Sequence, residues 1–157
     1  MKIRTASLLL LALPILSPFT SLADTPAAPA PAGAHEDEKK TELELRMGRV
    51  GKAFRKLRKQ VADPAQNESS LQLIATMQDA AREALQFTPE KAEDIPADQR
   101  PKFVQDFKDG INHLLDKLSG LKDAVAAGKN DEATKMAAEI LDFEKKEHKE
   151  FKRPDKD

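Results

Sequence analysis

The sequence predicts an all-α fold, an antiparallel up-down-up-down four-helix bundle, and three observations predict it. Apolar residues recur at helical spacing in four separate stretches, each the inward stripe of an amphipathic helix. Pro, Gly and Asn punctuate the stretches, and short connections put consecutive helices antiparallel. No stretch alternates apolar and polar residues as a half-buried strand does.

The fold does not start at residue 1. Lys2 and Arg4 precede an apolar run from Leu8 to Leu16, and Ser21-Leu22-Ala23 supplies a cleavage site of small residues. This is the pattern of a secretory signal peptide over 1–23, because the apolar run is too short to span a bilayer. A periplasmic protein with no membrane insertion is expected. Cleavage removes two cations and no acid, so the formal charge of −1 becomes −3. A mildly acidic, mixed-charge surface argues against nucleic acid or an anionic membrane as partner. Residues 24–41 open as DTPAAPAPAG and pass through the charge run AHEDEKK. They form an extended linker that buries nothing, with His35 as a solvated tail residue. Residues 42–153 are the bundle, of one ordinary domain's length and expected to be monomeric, and 154–157 are a tail. The chain has no cysteine, which excludes disulfides, thiolate metal sites and haem attached through C-x-x-C-H.

Helix 1 is expected near 42–62. Leu43, Met47, Val50, Phe54, Leu57 and Val61 form an unbroken heptad seam, and the opposite face is Arg and Lys, read as ordinary solvation. Gly48 and Gly51 interrupt it, each costing about 1 kcal/mol relative to Ala. Asp63-Pro64 ends it. Helix 2 is expected near 68–87, with Glu68-Ser69-Ser70 as cap candidates and Leu71, Ile74, Met77, Ala81, Ala84 and Leu85 inward. The proline-bearing stretch 89–101 is the one long connection. Helix 3, near 102–127, carries Phe103, Phe107, Ile111, Leu114, Leu118, Leu121 and Val125 on one stripe, His113 beside it, and Gly128 as its C-terminal cap. Asn130 or Asp131 then caps helix 4, near 131–152, whose stripe is Ala133, Ala137, Ile140, Leu141 and Phe151.

His148 lies one heptad beyond Leu141, on or beside that stripe. Taken alone it reads more readily as a packed core histidine than as a ligand, and Met47 alone as a gap-filler. The topology changes the weighing. The start of helix 1, the end of helix 2, the start of helix 3 and the end of helix 4 share one end of the bundle. Met47 and His148 therefore meet there, with Ala81, Ala84, Leu85, Phe103, Phe107 and Gly110 around them. An apolar slot with small residues and one imidazole opposed to one thioether suits haem, for which both are good iron donors. Met77 is a rival thioether nearer mid-bundle. The glycines fit a bulky group pressed on the backbone, or close helix–helix contact.

These residues resemble the soluble cytochrome b562 family. LELRM (43–47), TPEKAED (88–94), DFKDG (106–110), GKNDEA (128–133) and the EH pair (147–148) occur in the family's order and spacing, over about 43–153. The resemblance implies one non-covalent b-type haem per chain, axially held by Met47 and His148, and electron transfer to a redox partner protein rather than enzymatic catalysis. The pocket is then expected to include Phe103, Phe107, Gly110, Ile111, Leu85 and Gly51, with Arg46, Arg49, Lys149 and Lys152 as propionate partners. The sequence departs from the family's pattern in slightly longer 1–2 and 2–3 connections, in Gly48 and Gly51, in Ile111 where an aromatic ring is expected, and in Glu144 one turn before His148. Rival readings are a haem-free exported bundle acting as a binding or chaperone-like module, and a haem sensor or carrier with a displaceable Met. Copper or zinc at His148 lacks a second His or Cys to complete a site.

Overall fold

The computed structural model describes residues 40–153. The expected signal peptide, His35 with most of the expected linker, and the tail 154–157 lie outside the described residues. Four helices run in order, α1 (Glu42–Gln60), α2 (Asn67–Ala84), α3 (Arg100–Ala126) and α4 (Asn130–Phe151), with no strand among the described residues. The expected four-helix bundle is the one observed. No helix among these residues is long and apolar enough to cross a membrane.

The boundaries follow local chemistry. Thr41, assigned to the linker from sequence, caps α1: its hydroxyl accepts from Glu44 N–H at 3.3 Å. The Glu44 carboxylate accepts from Thr41 N–H at 3.0 Å, completing a capping box. After α1, Asp63 accepts from Ala65 N–H at 2.9 Å and Pro64–Gln66 forms a single 3₁₀ turn. α2 therefore starts at Asn67 with no side-chain cap. The serines expected to cap it instead tie α2 to α1, as Gln60 Nε2 donates to Ser69 Oγ at 3.0 Å and to Ser70 Oγ at 3.1 Å. α2 also stops at Ala84, short of Leu85 and Phe87. The long connection is partly ordered by a 3₁₀ turn over Glu90–Asp94 that buries Ala92. Pro101 sits in the first turn of α3, where its missing N–H costs nothing.

Gly128 ends α3 as the sequence predicts. Its φ of 70° is the left-handed region that glycine enters without strain. Gly128 N–H donates to Val125 C=O and Lys129 N–H to Ala124 C=O, the paired bonds of a Schellman motif. Asn130 is not a cap. It is the first residue of α4, buried, and its amide donates to Val61 C=O at 2.7 Å and to Asn67 Oδ1 at 2.8 Å. That staple joins three helix ends at the end of the bundle remote from His148. Asn130→Ala leaves a buried carbonyl without its partner, so a loss of about 1–3 kcal/mol is expected. Urea unfolding of the haem-free protein measures it; haem affinity should not change.

Leu57, Ile74, Met77, Leu118, Leu121 and Val125 are the large apolar side chains most fully removed from water. α1 packs on α2, α2 on α3, and α3 on α4. Between α1 and α4 the ring is left open, and there the site lies.

Candidate cofactor site

A cavity of about 570 Å³ separates α1 from α4, within the roughly 300–1,000 Å³ of small-molecule and cofactor sites. Met47, Val50 and Phe54 line it from α1. Phe107, Ile111, Leu114 and Leu118 come from α3, and Ile140, Phe143 and Phe151 from α4. Met77 of α2 is buried among them. The walls are apolar, and polar groups gather at the mouth.

Met47 and His148 stand on the two walls, on α1 and α4. Met47 is half-buried. His148 is not inward-facing as periodicity predicts: its side chain is 53% exposed, with Nε2 4.0 Å from Glu144 Oε1. In the last turns of α4 the inward positions belong to Glu144 and Glu147, both half-buried, and His148 stands beside them at the mouth. Burial holds the Glu147 carboxyl above its ordinary range, against the opposing pull of Lys146 and His113.

The structure places Phe107, Gly110, Ile111 and Gly51 along the cavity. Two expected pocket residues lie elsewhere. Phe103 stands behind the wall, its ring 5.2 Å from that of Phe151, which itself meets Phe107 edge-on at 5.6 Å. Leu85 lies just past the end of α2, packed on the core away from the cavity. Sequence reasoning missed Phe54, Phe143 and Phe151 as lining residues, although Phe54 follows Met47 by one heptad and was legible on that ground.

Of the four expected propionate partners, Lys152 lines the cavity. Lys149 is exposed and does not; its carbonyl accepts from Lys91 Nζ at 3.3 Å. Arg46 and Arg49 turn the other way, toward α2. Arg46 Nε lies 2.6 Å from Glu83 Oε2, close enough to pair the charges although the N–H is not aimed along the contact. Its guanidinium also pairs with Glu42 at 3.0 Å and lies 5.9 Å from the Phe87 ring centroid. Arg49 reaches the same Glu83 oxygen at 3.2 Å. The cations at the mouth besides Lys152 are Lys40, Arg55 and Arg153. Arg153 is held there by Asp94, with Nε and Nη2 bonding its two oxygens at 2.8 and 2.9 Å.

The glycines divide by what faces them. A Cβ at Gly110 would strike the Glu147 carboxylate. A Cβ at Gly48 meets nothing within 4 Å, and one at Gly51 meets Arg55 and Glu144 at ordinary contact distances. Close helix–helix packing is therefore not the reason for the glycines in α1. They leave bare backbone on the cavity wall. Gly48→Ala and Gly51→Ala should each stabilise the haem-free protein by about 0.5–1 kcal/mol. Hemin titration of the same variants should show weaker binding for Gly51→Ala, the glycine deeper in the wall.

Among the described residues no group of three or more His, Cys, Asp or Glu is placed to hold a bare metal ion. An apolar slot with an imidazole on one wall and a thioether on the other instead fits a flat macrocycle carrying its own metal, so fold and site define a cofactor-carrying helical bundle. The family model for cytochrome b562 matches residues 42–152, and the chain belongs to that family. It is accordingly a haem-binding electron-transfer protein of the b type, and not an enzyme. Comparison with curated proteins and with solved structures returned no match.

Proposed function

We propose that the chain is exported to the periplasm, binds one non-covalent haem in the cavity between α1 and α4, and holds the iron axially through Met47 and His148. The carrying observation is the cavity itself. It has cofactor dimensions and apolar walls, and a thioether and an imidazole on different helices. Bound there, the haem supplies a reversible one-electron change at iron. The chain's own residues do the rest. Phe54, Phe107, Ile111 and Phe143 exclude water from the macrocycle faces, which favours binding and raises the cost of extra charge on the iron. The His148 imidazole and the Met47 thioether would hold the iron between them, and the group so held would supply electron transfer rather than substrate chemistry. Lys152 at the mouth supplies positive charge for the propionates, with Arg55 from the opposite wall. The absence of cysteine, which rules out thioether attachment, supports a non-covalent haem.

Titration of hemin into the haem-free protein tests this. One equivalent should bind, and reduction should give the sharp bands of low-spin, six-coordinate iron. No stoichiometric uptake would overturn the proposal and favour the haem-free binding module.

A further inference from the structure

α1 carries more positive charge than its folding role explains. Between Glu44 and Asp63 there is no carboxylate, while Arg and Lys recur throughout. Arg46 and Arg49 are paired with Glu42 and Glu83. Lys52, Arg55, Lys56, Arg58 and Lys59 are exposed, and no carboxylate among the described residues pairs with them. On the other helices several cations find acids, as in Lys102–Asp106, Lys145–Asp142 and Arg82–Asp79. Those that do not, such as Lys122, Lys135 and Lys146, have carboxylates within about a turn in sequence, as the cations of α1 between Arg49 and Lys59 do not. Like charges three and four residues apart cost a helix a few tenths of a kcal/mol per pair (about 0.2–0.5). Arg58, 6.0 Å from the Phe54 ring centroid, and Lys59 recover part of it in the last turn, while Lys52 and Lys56 find no such partner among the described residues. The chain as a whole is slightly acidic, so everything outside this helix is strongly so.

The charge also has a place. Arg55 lines the main cavity, and Arg55 and Arg58 both line an adjoining hollow of about 280 Å³ that reaches His148. The positive face thus begins at the rim of the candidate cofactor site, on the wall that Gly48 and Gly51 leave low. Resting on the haem electron-transfer reading, we infer that this face of α1 is the docking surface for an acidic electron-transfer protein. A charged rim steers an opposite-sign partner and orients it with its contact patch at the site. An anionic membrane fits less well. Interfacial helices bury an apolar face among the lipids, whereas that of α1 is spent in the core, and among the described residues the one large apolar side chain left exposed is Leu45.

The test uses the haem-loaded protein with reduced flavodoxin, a small acidic electron carrier, as probe. Steering of this kind changes association rates by about 10–1,000-fold, so the reduction rate constant should fall at least about tenfold between low and physiological ionic strength. The triple variant Lys52→Glu, Lys56→Glu, Lys59→Glu touches neither cavity and should take up hemin normally. It should lose the salt dependence and about tenfold or more in low-salt rate, with the Lys→Gln triple variant in between. Amide shifts in the haem-free protein titrated with oxidised flavodoxin should centre on 49–59, which keeps the surface testable should hemin fail to bind. A salt-insensitive rate, an unaffected triple variant, or shifts centred on another helix would each overturn the proposal. So would binding of α1 to phosphatidylserine-containing vesicles without any response to flavodoxin, which would make the face a lipid surface instead.

Discussion

His148→Ala should lower hemin affinity by about a hundredfold or more, close to 3 kcal/mol, and leave at most a weakly held, largely high-spin pigment. Neutral imidazole binds ferric and ferrous iron alike, so its loss weakens both oxidation states. The structure makes this a clean experiment. The His148 side chain is more than half exposed, and its contact among the described residues is a long one, Nε2 4.0 Å from Glu144 Oε1, so the haem-free variant should keep its stability within about 0.5 kcal/mol. Circular dichroism with urea unfolding checks that arm, and hemin titration the other. His113 is the control: it too is exposed, on α3, and close enough to Glu147 to act on it electrostatically. His113→Ala should leave uptake unchanged. A stable His148→Ala protein that binds hemin as before would remove the imidazole from the site.

The number, order and direction of the helices were legible because each inward stripe is nearly unbroken and each connection carries Pro, Gly or Asn. Gly128 could even be assigned its cap, since nothing else in GKND tolerates that backbone as readily. What heptads do not encode is the handedness of the bundle, that is, which neighbour flanks which side of a seam. Arg46 and Arg55 look alike from sequence, one on each side of the Met47–Phe54 seam. The fold sends Arg46 to Glu83 on α2 and Arg55 to the cavity facing α4. The same missing information put Leu85 and Phe103 into the pocket, although the ring is open between α1 and α4 and not beside α2. His148 was misjudged for another reason. The apolar members of the α4 stripe point on toward His148, but in the last turns the inward positions are taken by Glu144 and Glu147, which no hydrophobic pattern marks.

Met47→Ala should leave a coloured protein whose iron is partly high-spin, and should lower its midpoint potential. A thioether is a soft, weak donor that favours ferrous iron, so its contribution falls on the potential more than on affinity. Met77 makes the measurement decisive. It also lines the cavity, but it is buried between α1 and α3 and belongs to the central packing. Met77→Ala should therefore cost about 2–5 kcal/mol of stability as a core truncation, with the reduced spectrum unchanged. Met47 is half-buried near the start of α1, so Met47→Ala should cost much less stability and alter the spectrum. Met77→Leu, which keeps most of the volume, separates packing from ligation: low-spin bands should survive it. Potentiometric titration and the reduced spectrum of the three variants decide the matter. If Met47→Ala keeps its bands and potential while Met77→Leu loses them, the axial sulfur belongs to α2.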